Sequence, residues 1–154
     1  MNVQAPPSPD DIARACADAM WQHDDASRGL GMKIVEIKPG QATLTMTVEP
    51  HMVNGQRIAH GGFIFALADS AFAFACNSHN ERAVAAQGNI TFIRPGKLGD
   101  VLVATAREIS RSGRSGIYDV RVTVGDAAIA EFRGHSRTIG GTWLPEPVTD
   151  SKQK

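Results

Sequence analysis

The sequence predicts an α+β fold in which an antiparallel sheet of five to six strands wraps around one long central helix. Three observations predict it. Phe63 to Cys76 is a fourteen-residue run that would be apolar on every side of a helix, broken only by Asp69 and Ser70. Before it, Ala42, Leu44, Met46 and Val48 alternate with Thr43, Thr45, Thr47 and Glu49, the period-two pattern of a half-buried strand. After it, strand-like segments recur at short spacing between Pro95-Gly96, Gly99-Asp100, Ser112-Gly113 and Gly125-Asp126, turn chemistry that favours an antiparallel meander. One sheet face cannot cover a helix that is apolar all round, so the pattern also predicts a second subunit against its far side.

Taken in order, residues 1–8 read as an unstructured tail, residues 9–142 as one domain and residues 143–154 as a second flexible tail. Ser8-Pro9-Asp10-Asp11 is a helix start, with acids near the positive end of the helix dipole, and Ile12, Cys16, Ala19 and Met20 give the helix to Trp21 one apolar stripe. Gly29 and Gly31 close that region. Met32 to Ile37 then reads as a strand, joined through Pro39-Gly40 to the alternating strand Ala42 to Val48. The buried helix follows, and then strands Val84 to Ile93, Val101 to Ile109, Tyr118 to Val124 and Ala127 to Ile139. In the third of these, Tyr118, Val120, Val122 and Val124 share a face opposite Asp119, Arg121 and Thr123, so one side packs and the other meets water or a partner.

Bulk properties narrow the function. Of 154 residues, 42% are hydrophobic and 21% charged, an ordinary balance for one globular domain. Sixteen basic and sixteen acidic residues cancel, which gives no electrostatic reason to expect nucleic acid or acidic lipid as a partner. The apolar run is shorter than the ~18 to 20 residues of a membrane span and carries a central Asp. The two cysteines, Cys16 and Cys76, follow a polar, proline-rich start without the features of a secretory signal, so a cytoplasmic protein with reduced thiols is expected. His51, His60, His79 and His135 show no metal-binding spacing, so no metal is expected.

The chemistry is read from two features. Asn54-Gly55-Gln56-Arg57-Ile58-Ala59-His60-Gly61-Gly62 precedes the buried helix. Two glycines at a helix start leave backbone N–H groups uncovered at the positive end of the dipole, where a polarised carbonyl oxygen is favourably held. Asp69 would supply the base or nucleophile, with its pKa raised if it is desolvated without a partner. Gly61 and Asp69 stand eight positions apart, roughly 12 Å at ~1.5 Å per residue, too far to share one reacting carbonyl. If they cooperate, the glycine of one subunit must face the aspartate of another, as antiparallel helices in a two-fold dimer allow. Structural readings stand beside these: Asp69 paired with an Arg, Gly61-Gly62 as a close-packing start, His60 as a helix-terminal hydrogen-bonding residue, and Asn54 as a turn residue. Ser70 lacks a hydrolase elbow, and Cys76 reads as inert core. The basic turns Arg94-Pro95-Gly96-Lys97 and Arg111-Ser112-Gly113-Arg114 either hold phosphates or are simply solvated.

At these residues the sequence resembles the hotdog-fold thioesterases, and within them the phenylacetate-degradation PaaI group. The resemblance rests on Asn54 with His60-Gly61-Gly62, on Leu67 to Ser78, on Asn89 to Gly96, and on Phe132-Arg133-Gly134-His135-Ser136. It implies a hotdog fold, a homotetramer built as a dimer of dimers with sites at the dimer interface, and acyl-coenzyme A substrates. It further implies that the Gly61 N–H meets the thioester oxygen and that Asp69 comes from the opposing subunit. Asn54 then places the water or thioester, and His60 organises the helix start. Arg94, Lys97, Arg111 and Arg114 would rim the coenzyme A nucleotide, with Gly62, Gln87, Pro95, Gly96, Ser112 and Gly113 completing the substrate contacts. The small hydroxyl that relatives often carry near the acyl group is missing from Ala85-Ala86-Gln87-Gly88. The implied activity is hydrolysis of phenylacetyl-CoA or hydroxyphenylacetyl-CoA-like thioesters without a cofactor, since coenzyme A is part of the substrate. A non-catalytic acyl-CoA-binding or regulatory module is the alternative, and an acyl-CoA hydratase would need a His–Asp pair at another spacing.

Overall fold

A computed structural model describes residues 5–146. Two helices, α1 (Pro9–Trp21) and α2 (Asp25–Gly29), precede strands β1 (Lys33–Lys38) and β2 (Gln41–Thr47). A 3-10 turn at Pro50–Met52 leads to the long helix α3 (Gly61–Cys76), and β3 (Ala83–Phe92), β4 (Val101–Ser112), β5 (Ser115–Val124) and β6 (Ala127–Thr138) follow. Together they form the expected antiparallel sheet curled around one helix, the hotdog arrangement. The short α2 was not expected. Asp24 caps it by accepting the Ser27 N–H, and the Ser27 hydroxyl is 2.8 Å from that of Ser70, which ties α2 to α3.

The strand order, β1-β2-β4-β5-β6-β3, corrects the expected meander. Of the four strands after α3, only β4, β5 and β6 run in sequence, while β3 lies at the far edge beside β6, with Gln87 opposite His135 and Phe92 opposite Ala130. The eight residues 93–100 that leave β3 exceed a tight hairpin loop. They cross the end of the sheet instead, where Val48 and Gly99–Asp100 exchange backbone hydrogen bonds.

The inward faces carry the expected alternation. Ala42, Leu44 and Met46 of β2 and Tyr118, Val120 and Val122 of β5 are buried beneath Leu67, Ala68, Ala71, Phe72 and Ala75 of α3. Small residues on both layers, such as Ala104 and Ala106 facing the helix alanines, let the layers approach closely. Gly134 is glycine because a Cβ there would lie 2.9 Å from three atoms of the Phe72 ring.

The helix is not enclosed on every side by its own chain. Gly62 is exposed, and Ala66, Asp69 and Ala73 are half-buried along one flank, so a stripe of α3 that includes Asp69 faces outward. β3 beside it is uncharged and exposed along most of its length, with Val84 47% and Phe92 51% exposed.

Ordered contacts extend past both expected tail boundaries, toward the termini. Ser8 is the N-cap of α1, in a reciprocal pair with Asp11, and Trp143 and Leu144 are hydrogen-bonded to the domain. The remainder of the expected tails, residues 1–4 and 147–154, lies outside the described residues. No helix of the described chain is long and apolar enough to cross a membrane.

Candidate active site

The start of α3 is a rigid donor platform. His60, in extended backbone conformation, turns its Nδ1 back to accept the Gly62 N–H at 2.9 Å. That capping bond consumes one of the first-turn donors. The Gly61 N–H, by contrast, has no acceptor among the described residues. A side chain at Gly61 would crowd Phe92, since a Cβ would lie 2.8 Å from its Cζ. The loop leading in is pinned at both ends, with the Ala59 N–H donating to Gly96 O and the His60 N–H to Met52 O, each at 2.8 Å. Asn54 is the turn residue its alternative reading described: its Oδ1 accepts the N–H groups of Gln56 at 3.0 Å and Ile58 at 3.4 Å. Its Nδ2 donors meet no acceptor among the described residues. Asn54 and Gly61 line one cavity of ≈ 480 Å³ with Ile64, Phe92, Arg94 and Pro95.

Asp69 lines a different cavity, of ≈ 510 Å³, with Phe72, Ala73, Cys76, Arg82 and Trp143. It makes no hydrogen bond or ion pair among the described residues, so the Arg-paired alternative does not describe it. Desolvation alone holds its carboxyl above the usual carboxylate range. Cys76 in the same cavity has its thiol pushed up by burial to about 12, which keeps it protonated and unreactive, as its apolar setting suggested. A single chain therefore presents the free amide and the unpartnered carboxylate in separate cavities, about two turns apart along α3.

The other expected contacts divide by location. Arg94 and Pro95 share the Gly61 cavity, and Arg94 is steadied by a 2.9 Å hydrogen bond from Nη1 to Ala128 O. Gly96 is buried beneath it and supports Ala59, while Lys97 donates its N–H to Asp100 Oδ2 in the next turn. Gly62 has its amide occupied by His60. Arg111, Ser112, Gly113 and Arg114 form the β4–β5 hairpin at the opposite end of the sheet from Arg94, with Gly113 at φ 56°. Arg111 lies 3.8 Å from Glu81 and 4.0 Å from Glu108, and the Arg114 guanidinium donates to Thr138 O at 3.0 and 3.3 Å. Gln87 sits at a bulge in β3, in a groove of ≈ 330 Å³ with Ser112 and His135. One chain thus does not bring the two basic turns together.

Two clusters escaped the sequence reading. Asn77, buried after α3, donates from Nδ2 to Ala73 O and Ala83 O and accepts at Oδ1 from Ala83 N–H and from Trp143 Nε1–H. Glu108 accepts from Tyr118 Oη at 2.7 Å and meets His79 Nε2 at 2.8 Å. Burial pushes its carboxyl up, but these partners outweigh that and hold it below the usual range. Neither cluster has a local pattern, because Asn77 and Trp143 are separated by 66 positions. Among the described residues no group of three His, Cys, Asp or Glu is placed to hold a metal ion.

Comparison with known proteins adds an independent line. A family model described as "Thioesterase superfamily" matches residues 56–130, which include α3 with both Gly61 and Asp69. The acyl-coenzyme A thioesterase PaaI of Escherichia coli (strain K12) is 45% identical over 127 residues, covering 82% of this chain and 91% of the relative. The solved structure of the E. coli PaaI protein from the phenylacetic acid degradation operon superposes with a TM-score of 0.86 at 43% identity, over 88% of this chain and 99% of that one. The structure of smu.793 from Streptococcus mutans, bound to acetyl CoA, matches with a TM-score of 0.69 at 28% identity, over 72% of this chain and 90% of that one.

Proposed function

Because this chain belongs to the thioesterase superfamily, as an acyl-coenzyme A thioesterase of the PaaI group, we propose that Asp69 of one protomer and the Gly61 N–H of its partner act together on one thioester. The observation that carries this is Asp69 itself: a half-buried carboxylate without a partner among the described residues, on the open flank of α3, in a cavity that excludes its own Gly61. A two-fold axis that pairs the uncharged edge of β3 with a second β3 covers that edge. It also sets the open flank of α3 against its antiparallel copy. The same operation carries the Arg111–Arg114 hairpin of one protomer toward the Arg94 end of the other, where both turns can meet the phosphates of one coenzyme A.

In this reading the thioester oxygen accepts the Gly61 N–H and is further polarised by the Asn54 amide. Asp69, with its raised proton affinity, takes a proton from water as the water oxygen attacks the carbonyl carbon. The carbon–sulfur bond then breaks, the thiolate of coenzyme A takes the proton that Asp69 gained from water, and the free acid leaves. The acyl group is phenylacetyl or a ring-hydroxylated derivative, consistent with the operon named for the E. coli relative. No cofactor enters, two dimers associate as a tetramer, and the enzyme works in the cytoplasm, where Cys16 and Cys76 stay reduced.

A complementation experiment tests the crossing. Asp69→Asn and Gly61→Ala chains, each nearly inactive alone, are co-expressed and assayed for free thiol release. A crossed site predicts that every mixed dimer has one wild-type site, giving about a quarter of wild-type activity from statistical pairing. A site within one chain predicts no recovery, since every site then carries one defect.

A further inference from the structure

The cavity beside Asp69 has a wall supplied by the far end of the chain. The Trp143 indole is held there by Nε1–H donating to Asn77 Oδ1 at 2.8 Å, and its backbone is fixed by N–H groups of Trp143 and Leu144 that both donate to Asn80 Oδ1 at 3.0 Å. Asn77 has no spare hydrogen-bonding capacity for another orientation, so the ring is a fixed surface. Met20, Phe72 and Ile139 add to a lining that is mostly apolar. Besides Asp69 and the saturated Asn77, the charged or polar group on it is Arg82. Its guanidinium stacks 4.3 Å above the Trp143 ring, its backbone is bonded on both sides to Gly141 and Ile139, and its side-chain donors meet no acceptor among the described residues. A cation parked over an aromatic face keeps its in-plane N–H groups available at the edge.

We infer that this cavity receives the acyl group of the thioester, with its apolar body against Trp143 and Arg82 addressing a hydrogen-bond acceptor, a hydroxyl or a carboxylate, at its far end. The inference rests on the hydrolase reading above and adds the residues that select the acyl group. The volume of ≈ 510 Å³ lies within the range of sites for small organic groups. With the reacting carbon at Asp69, the acyl group extends across the cavity toward Trp143 and Arg82, which line it too. The selection is steep because a guanidinium brought to a substrate lacking the acceptor loses its water without a replacement bond.

The test uses matched pairs of thioesters, hexanoyl-CoA with adipoyl-CoA, and phenylacetyl-CoA with 4-hydroxyphenylacetyl-CoA, together with acetyl-CoA. The wild-type enzyme is expected to favour the acceptor-bearing member of at least one pair by about tenfold in kcat/KM. The pair that shows it distinguishes carboxylate from hydroxyl. Arg82→Met should bring that ratio within twofold of one, and Trp143→Leu should lower kcat/KM for the aromatic thioesters about tenfold relative to acetyl-CoA. Absence of any preference in the wild type, or an unchanged ratio in Arg82→Met, overturns the inference while leaving hydrolysis intact. Arg82→Met removes an exposed side chain without hydrogen bonds among the described residues, so it decides the matter even if Trp143→Leu fails to fold. Failure of the wild type to cleave any thioester overturns the hydrolase reading, and this inference with it.

Discussion

Replacing Gly61 by alanine separates the platform's chemistry from its packing. The new Cβ would sit 2.8 Å from Cζ of Phe92 and 3.2 Å from each Cε, so ring and helix start must part by about half an ångström or more. Phe92 is half-exposed, so its ring takes up part of that separation and the helix start the rest, and the stability cost falls at the low end of overpacking, about 1 kcal/mol. The catalytic cost is larger. A shift of that size misdirects the free N–H, and losing one oxyanion donor costs about 10²–10³ in kcat. We expect Gly61→Ala to reduce thiol release about 10²-fold while lowering the melting temperature by only a few degrees. Phe92→Ala opens the space, so Gly61→Ala in that background should cost less than about tenfold relative to Phe92→Ala alone. A full 10²-fold loss in both backgrounds would refute the steric argument, and near-normal turnover of Gly61→Ala would remove the amide from catalysis.

Asp69→Asn should abolish turnover by at least about 10³-fold and yet raise the melting temperature at neutral pH, measured by thiol release and calorimetry. The sign follows from its raised pKa: the folded state holds this proton more tightly than the unfolded chain, so Asp69 lowers stability as pH rises through its titration. For the same reason kcat/KM should fall on an acid limb whose midpoint lies above the ordinary carboxylate value of 3.8. Glu108 has the opposite sign: its stabilisation is present above 4.5 and is lost as pH falls through its lowered pKa, so Tyr118→Phe should flatten the acid side of a stability–pH curve. Asn77→Ala strands buried partners on α3, β3 and Trp143 and should cost about 3 kcal/mol in urea unfolding. Gly134→Ala, forced against the fully buried Phe72 ring, should cost about 2–3 kcal/mol, more than Gly61→Ala against its yielding neighbour.

The periodicities made the fold class legible. Alternation in Ala42–Val48 and Tyr118–Val124, and the apolar run at 63–76, act within a few residues, and the structure obeys them. His60-Gly61-Gly62 was legible for a similar reason, since capping and donor exposure are decided within one helical turn. The position of β3 was not legible, because turn signals mark where a strand ends and do not name its neighbour; α3 and the crossing segment 93–100 carry β3 to the far edge. The Arg111 turn read as either phosphate-holding or solvated, and the sequence did not show Glu81 and Glu108 beside Arg111, a proximity made by the sheet and not by the residues around the hairpin.

The sequence by itself determined a helix with one carboxylate on it, a donor-rich start, and a separation along the helix that no single chain can close. It did so because helical rise and side-chain period are properties of the local backbone. Only the tertiary structure decided that Asp69 has no partner among the described residues, that Phe92 crowds position 61, and that Trp143 with Arg82 walls the aspartate's cavity. Those facts depend on which distant segments the packed sheet brings within reach of α3, and neither residue spacing nor period encodes that.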